Sequence, residues 1–106
     1  MQLYNKKKIS VIVEKTFSDD VIKLLSDAGV SGYTIYSNIS GKGKHGYRNG
    51  NTAFAGGILG NVEIVSITAE ERCAQILSKL SAMIDSGIVM VVHVIDVQVL
   101  RTKYFG

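Results

Sequence analysis

The run 88–100 constrains the fold more than any other stretch of the chain. Val89, Val91 and Val99 make one set of alternating positions apolar, and Met90, Val92, Val94 and Leu100 make the other set apolar too. Apolar residues recurring with period two mark a strand. A sheet with one face in water carries a polar alternate set, so this strand asks for cover on both faces. The rest of the chain supplies cover for only one. Residues 8–14 are a β-branched strand with Ile9, Val11 and Val13 on one face and Ser10 and Ile12 on the other. Ser18 is placed to cap a helix whose first turn holds Asp19 and Asp20, where the dipole favours acids. Val21, Leu24, Leu25 and Ala28 then recur at helical spacing until Gly29, which suits the left-handed position that ends a helix. A second strand starts at 32–36 and can run on to Ile39, and 62–67 is a third. Thr68 and Glu71 match a capping box. The stripe Cys73, Ile76, Leu77, Leu80 and Ile84 follows, and Gly87 stops that helix.

The order β-α-β-β-α-β predicts an α+β, ferredoxin-like domain: a four-stranded antiparallel sheet with two helices on one face. With both helices spent on that face, the apolar second face predicts packing against other subunits. The 106 residues fit one domain spanning 1–106, and a composition 46% hydrophobic and 20% charged excludes a disordered chain. No apolar run is long enough and free enough of charge to span a bilayer, and the N-terminus lacks the apolar core of a signal peptide. The single cysteine allows no internal disulfide and no thiolate zinc set. Together these predict a cytoplasmic protein, with Cys73 an inert thiol on the core stripe.

Between the second and third strands lies a segment, 37–61, where a compact domain normally places a short turn. It holds seven of the eleven glycines, together with Lys42, Lys44, His45 and Arg48, and no Asp or Glu. Loops of this length without regular structure are usually functional. Glycines among cations let backbone N–H groups approach an anion, phosphate above all, which singles out Gly41, Lys42, Gly43 and Lys44. The net charge of +3 comes largely from this loop and from Lys6, Lys7 and Lys8, which read as a solvated basic tail.

Function in this fold has to be argued from sites. An RNA-recognition domain of the same topology stacks bases on strand aromatics, and the third strand here has none. A nucleic-acid-binding module using the basic loop therefore stands as the runner-up, with no nucleic acid expected as the main partner. No Cys-x-x-Cys metal pair is present, no arginine follows the first strand to grip an acyl phosphate, and no nucleophile is tied to either histidine. These observations predict no catalytic residue, no metal and no enzyme activity. His93, mid-strand among valines, reads as a partly buried structural residue, and His45 as a loop contact. Glu63 and Asp96 read equally well as charge partners or as adenine- and phosphate-site residues.

The chain resembles the P-II signal-transduction superfamily, in its P-II-like branch. Gly29-Val-Ser-Gly32-Tyr-Thr34-Ile is similar to the family's helix end and second strand, the glycine segment stands in the place of its long T-loop, and Val62-Glu63-Ile64-Val65 is similar to its third strand. The stretch from Gly87 through Arg101-Thr102 aligns without gaps on its fourth strand. The resemblance implies a homotrimer that binds adenine nucleotide between subunits and docks its T-loop on a membrane transporter or enzyme. It implies nucleotide contacts from Thr34, Gly41, Lys42, Gly43, Lys44, Glu63, Gly87 and Arg101, and partner contacts from His45, Tyr47 and Arg48. Ile88 and Val99 stand where nitrogen-regulatory members carry phosphate-binding cations, and the T-loop glutamine needed for magnesium and 2-oxoglutarate has no counterpart. Fewer cations favour ADP, AMP or cyclic AMP over Mg-ATP. Ser40-Gly41-Lys42-Gly43 is similar to the loop start of P-II-like regulators of inorganic-carbon uptake, and Val97-Gln-Val-Leu-Arg101 to the carboxysome-linked branch, which implies bicarbonate as a second ligand.

Overall fold

The computed structural model describes residues 1–43, 46–48, 60–101 and 105–106, with 43 and 46–48 described as backbone. Strand β1 (Tyr4–Glu14) leads through a single 3-10 turn into helix α1 (Ser18–Asp27). β2 (Thr34–Ser37), β3 (Gly41–Gly43), β4 (Gly46–Arg48) and β5 (Asn61–Thr68) follow, then helix α2 (Glu70–Asp85) and β6 (Met90–Val99). The main sheet runs β2-β5-β1-β6 with every neighbouring pair antiparallel, the ferredoxin-like arrangement that the element order predicts.

Register explains the core. Val11 stands opposite Ile64 on β5 and Val92 on β6, so Ile9, Val11, Val13, Val62, Ile64 and the Met90, Val92, Val94 set share one face. Val21 and Leu25 of α1 and Cys73, Ile76 and Leu80 of α2 close over it. Each fully buried aliphatic is worth roughly 1.5–3 kcal/mol over its exposed state. No helix among the described residues covers the other face. There Val91 and Ile95 remain 47% and 50% exposed, and Tyr36 stands 53% exposed on β2.

Both helices end in the same way. Gly29 has φ +88° and Gly87 has φ +109°. After α1 the N–H of Gly29 donates to Ser26 and that of Val30 to Leu25; after α2 the N–H of Gly87 donates to Ile84 and that of Ile88 to Met83. This pair of bonds satisfies carbonyls that the helix leaves open, and the residue after each glycine packs back on the core.

Local details depart from the sequence reading. β1 begins at Tyr4 rather than Lys8, because Asn5, Lys6 and Lys7 pair with Gln98, Val97 and Asp96 of β6; the lysines are strand residues and not a free tail. Neither expected cap forms. Phe17 precedes α1, and the Ser18 hydroxyl donates to the Lys15 carbonyl 2.8 Å away. Ala69 precedes α2, and the Thr68 hydroxyl is committed to Gly106 at 2.8 Å. β2 stops at Ser37, where Asn38 turns the chain at φ 59°, so the strand does not reach Ile39. Within the glycine segment β3 and β4 form a short ladder, Gly41 opposite Arg48 and Lys42 opposite Tyr47, where an irregular loop was expected.

Candidate functional site

Four strands bring their ends together where the glycine segment departs. Glu14, Ser37, Asn61 and Met90 mark the ends of β1 and β2 and the starts of β5 and β6. The base of the segment is fixed there by backbone bonds: Ile39 N–H to Asn61 O at 3.2 Å and Lys15 N–H to Gly60 O at 2.8 Å. Gly60 takes φ 85°, a conformation that favours glycine. Gly87 lies at this same end, just ahead of β6, while Gly41, Lys42 and Gly43 form β3, which pairs with β4 in a separate two-stranded sheet. Lys42 is exposed. Lys44 and His45 lie outside the described residues, and Tyr47 and Arg48 are described as backbone in β4.

Arg101 is not in this group. β6 runs from the loop end of the sheet to the far end, and Arg101 follows its last residue, Val99. Ten strand residues at a rise of about 3.3 Å separate the two ends by roughly 30 Å. Within one chain, the departure of the glycine segment and Gly87 thus lie at one end of the sheet and Arg101 at the other.

Thr34 and Glu63 take a third location, on the uncovered face of the sheet. Thr34 stands opposite Val65, and Glu63 stands between Tyr36 and Ile12. The Ser10 hydroxyl donates to Glu63 Oε2 at 2.5 Å, so this carboxylate already has a partner within the chain. His93 lies opposite Ser10 on the same face. It is exposed rather than partly buried, because no helix among the described residues covers that face. Asp96 is a charge partner: Lys7 Nζ lies 2.5 Å from its Oδ1. The hydrogen bond that Lys7 donates to Asp96, with the carboxylate's charge, raises the Lys7 ammonium above its ordinary value. Burial is the main cause that raises the Cys73 thiol, as a core position dictates. Among the described residues no group of His, Cys, Asp and Glu is arranged to hold a metal ion. No helix among them is long and apolar enough to cross a membrane.

One arrangement has no local signature in the sequence. The oxygen of Gly106 accepts from Thr68 Oγ1 at 2.8 Å and from Arg72 Nη1 at 2.6 Å, and the Ala69 N–H points at it from 3.5 Å. Arg72 also lies against Gly29, where a Cβ would meet its Cζ and Nη2 at 3.3 Å.

The chain matches known proteins over nearly its whole length. The nitrogen regulatory protein P-II family model matches residues 6–104. Among solved structures it is similar to CPII, a nitrogen regulatory PII-like protein from Thiomonas intermedia K12, bound to ADP, AMP and bicarbonate. Identity is 35%, with 94% of this chain and 92% of that chain covered and a TM-score of 0.84. CPII bound to ADP and bicarbonate matches at 33% identity over 99% of this chain and 98% of that one, TM-score 0.86. A putative PII-like signalling protein from Thermus thermophilus has the same fold at 21% identity, TM-score 0.76, with both chains covered in full. No curated protein matches the chain. On the family match and the agreement in fold, this chain belongs to the nitrogen regulatory P-II family, in its PII-like branch.

Proposed function

We propose that this chain is a non-enzymatic, cytoplasmic signalling subunit that works as a homotrimer. It binds ADP or AMP, with cyclic AMP a further candidate, in clefts between subunits, with bicarbonate as a second ligand. The observation that carries this reading is the separation of Arg101 from Gly41, Lys42 and Gly87. A phosphate site that uses both ends of the sheet needs a second copy to bring an Arg101 to the loop end. The uncovered apolar face supports association, since exposed patches of this kind mark interaction sites. The ADP, AMP and bicarbonate bound by the related CPII support the ligand class. Glu63, already bonded to Ser10, has one carboxylate oxygen engaged; in this reading it and Thr34 serve the adenosine side of the cleft, away from the phosphates. Lys44, two residues after Lys42 in the sequence, adds a further positive charge in this reading. His45, Tyr47 and Arg48, in the single domain's T-loop at 37–61, contact a partner protein, with a bicarbonate transporter the first candidate.

Thermal-shift titration with ADP, AMP, cyclic AMP and ATP, each with and without bicarbonate, tests the reading. A ligand that binds only the folded state raises the melting temperature by mass action. ADP or AMP should give a dose-dependent rise that bicarbonate enlarges. No rise with any nucleotide, from protein that is trimeric by light scattering, would refute the ligand assignment.

A further inference from the structure

Ser10 holds an unusual place for a small polar residue. It lies within β1, a central strand, on the face that no helix among the described residues covers, yet only 1% of it is exposed. Val65 of β5 and His93 of β6 flank it by register, and the Glu63 carboxylate reaches it from the diagonal position on β5. The hydroxyl has one proton to give, and it donates that proton to Glu63 Oε2 at 2.5 Å. A long, rotamer-rich side chain is thereby held by a donor whose own backbone the sheet fixes on both sides.

The surroundings say what the held carboxylate can serve. Ile12 stands directly opposite Glu63 on β1 and Tyr36 opposite it on β2, and Val65 is the next residue of β5 on the same face. Such a floor suits a flat, largely apolar ring; a ribose would leave hydroxyls without partners there. A carboxylate only accepts hydrogen bonds, so with Oε2 engaged by Ser10, Oε1 can take a donor from outside. On an adenine ring the exocyclic amino group is that donor.

We infer that Ser10 is a positioning residue that sets base specificity: by holding Oε2 of Glu63 it aims Oε1 at the 6-amino group of a bound adenine. This rests on the function proposed above and narrows it from a class of ligand to one atom of the base. Ser10 acts through Glu63 and not by touching the ligand.

The test is calorimetric titration with ADP, with 2′-deoxy-ADP and with purine riboside 5′-diphosphate, which differs from ADP only in lacking the amino group. Wild-type protein should prefer ADP to the purine analogue about ten- to a hundredfold, the range of a hydrogen bond to a charged acceptor. Ser10→Ala should weaken ADP binding about three- to tenfold, the cost of ordering one long side chain at the moment of binding. The analogue's affinity should stay at the wild-type value. Ser10→Thr, which keeps the hydroxyl, should retain the preference. In a Glu63→Ala background Ser10→Ala should change nothing further. Equal losses for ADP and the analogue in Ser10→Ala, or a variant that narrows only the gap between ADP and 2′-deoxy-ADP, would overturn the inference. Should Ser10→Ala fail to fold, Glu63→Gln serves instead: with its amide oxygen on Ser10 it turns an NH2 group toward the base and should erase the preference for ADP, and an intact preference overturns the inference equally. Wild-type protein that binds no adenine nucleotide defeats the function itself and takes this inference with it. Wild-type preference for ADP with an indifferent Ser10→Ala defeats the role of Ser10 alone.

Discussion

Gly29 and Gly87 invite a paired experiment, because they do the same backbone task in different surroundings. Both end a helix at positive φ, +88° and +109°. Alanine at either position should cost about 1–2 kcal/mol of backbone strain. The surroundings separate them. A methyl group at 87 would meet nothing within 4 Å, whereas one at 29 would lie 3.3 Å from Cζ and Nη2 of Arg72 and 3.4 Å from Nε. The guanidinium must lift by a few tenths of an ångström, which strains its 2.6 Å bond to Gly106. A typical hydrogen bond contributes about 0.5–1.5 kcal/mol net, and a strained one loses part of that. By that measure Gly29→Ala should cost about 0.5–1 kcal/mol more than Gly87→Ala. Chemical denaturation at one fixed protein concentration measures both. Repeated in an Arg72→Ala background, the two losses should become equal. Equal losses with Arg72 present, or an excess that survives without it, would refute the reasoning from contact to energy.

Three further outcomes follow from the geometry. Ile95→Glu puts a charge on the uncovered face beside Lys8 and should shift the assembly to smaller species in analytical ultracentrifugation; an unchanged trimer at micromolar concentration would place the interface elsewhere. Arg101→Ala should weaken ADP binding by about 1.5–3 kcal/mol, the range for a charge-assisted bond, and Lys42→Ala by less, since a flexible ammonium is more easily replaced by water; calorimetric titration ranks them, and the reverse order argues against Arg101 on the phosphates. The Cys73 thiol titrates above its ordinary value because burial disfavours the thiolate. Its contribution to stability is therefore complete below the unfolded thiol's value and is lost as pH rises through the folded one. Alkylation in mildly alkaline buffer should be slow without denaturant, and rapid labelling of the folded protein would contradict the packing of α2.

Much of this architecture was legible from periodicity. The two-residue alternation of β1, β5 and β6, the helical stripes, and the glycines at 29 and 87 each have one physical solution, and the chain adopts it. The failures share a cause. Thr68 and Glu71 have the spacing of a capping box, yet the Thr68 hydroxyl bonds Gly106, a partner that no local pattern names. The lysines at 6, 7 and 8 look like a tail until β6 is laid beside them and Lys7 meets Asp96. The element order also implies that the glycine segment and Gly87 lie at one end of the sheet, as they do. The remoteness of Arg101 was not visible, because linear order does not say which end of a sheet a strand finishes on until the register is known.

The uncovered outer margin of β6 has a consequence for the life of a newly made subunit. Among the described residues β6 pairs with β1 alone, so one side of its ten-residue backbone presents main-chain donors and acceptors to any strand that arrives. Residues 90–95, Met-Val-Val-His-Val-Ile, are β-branched at four of six positions, lack proline and glycine, and carry no fixed charge, the composition of segments that stack into cross-β fibrils. Natural edges are commonly blunted by lysine, proline or a bulge, and here Asp96 alone stands guard. Productive assembly and fibril nucleation thus draw on the same pool of unassembled chains. Faster synthesis feeds both, and slower folding feeds only the second. Soluble yield should therefore fall more steeply with induction temperature than the stability of the finished protein would suggest.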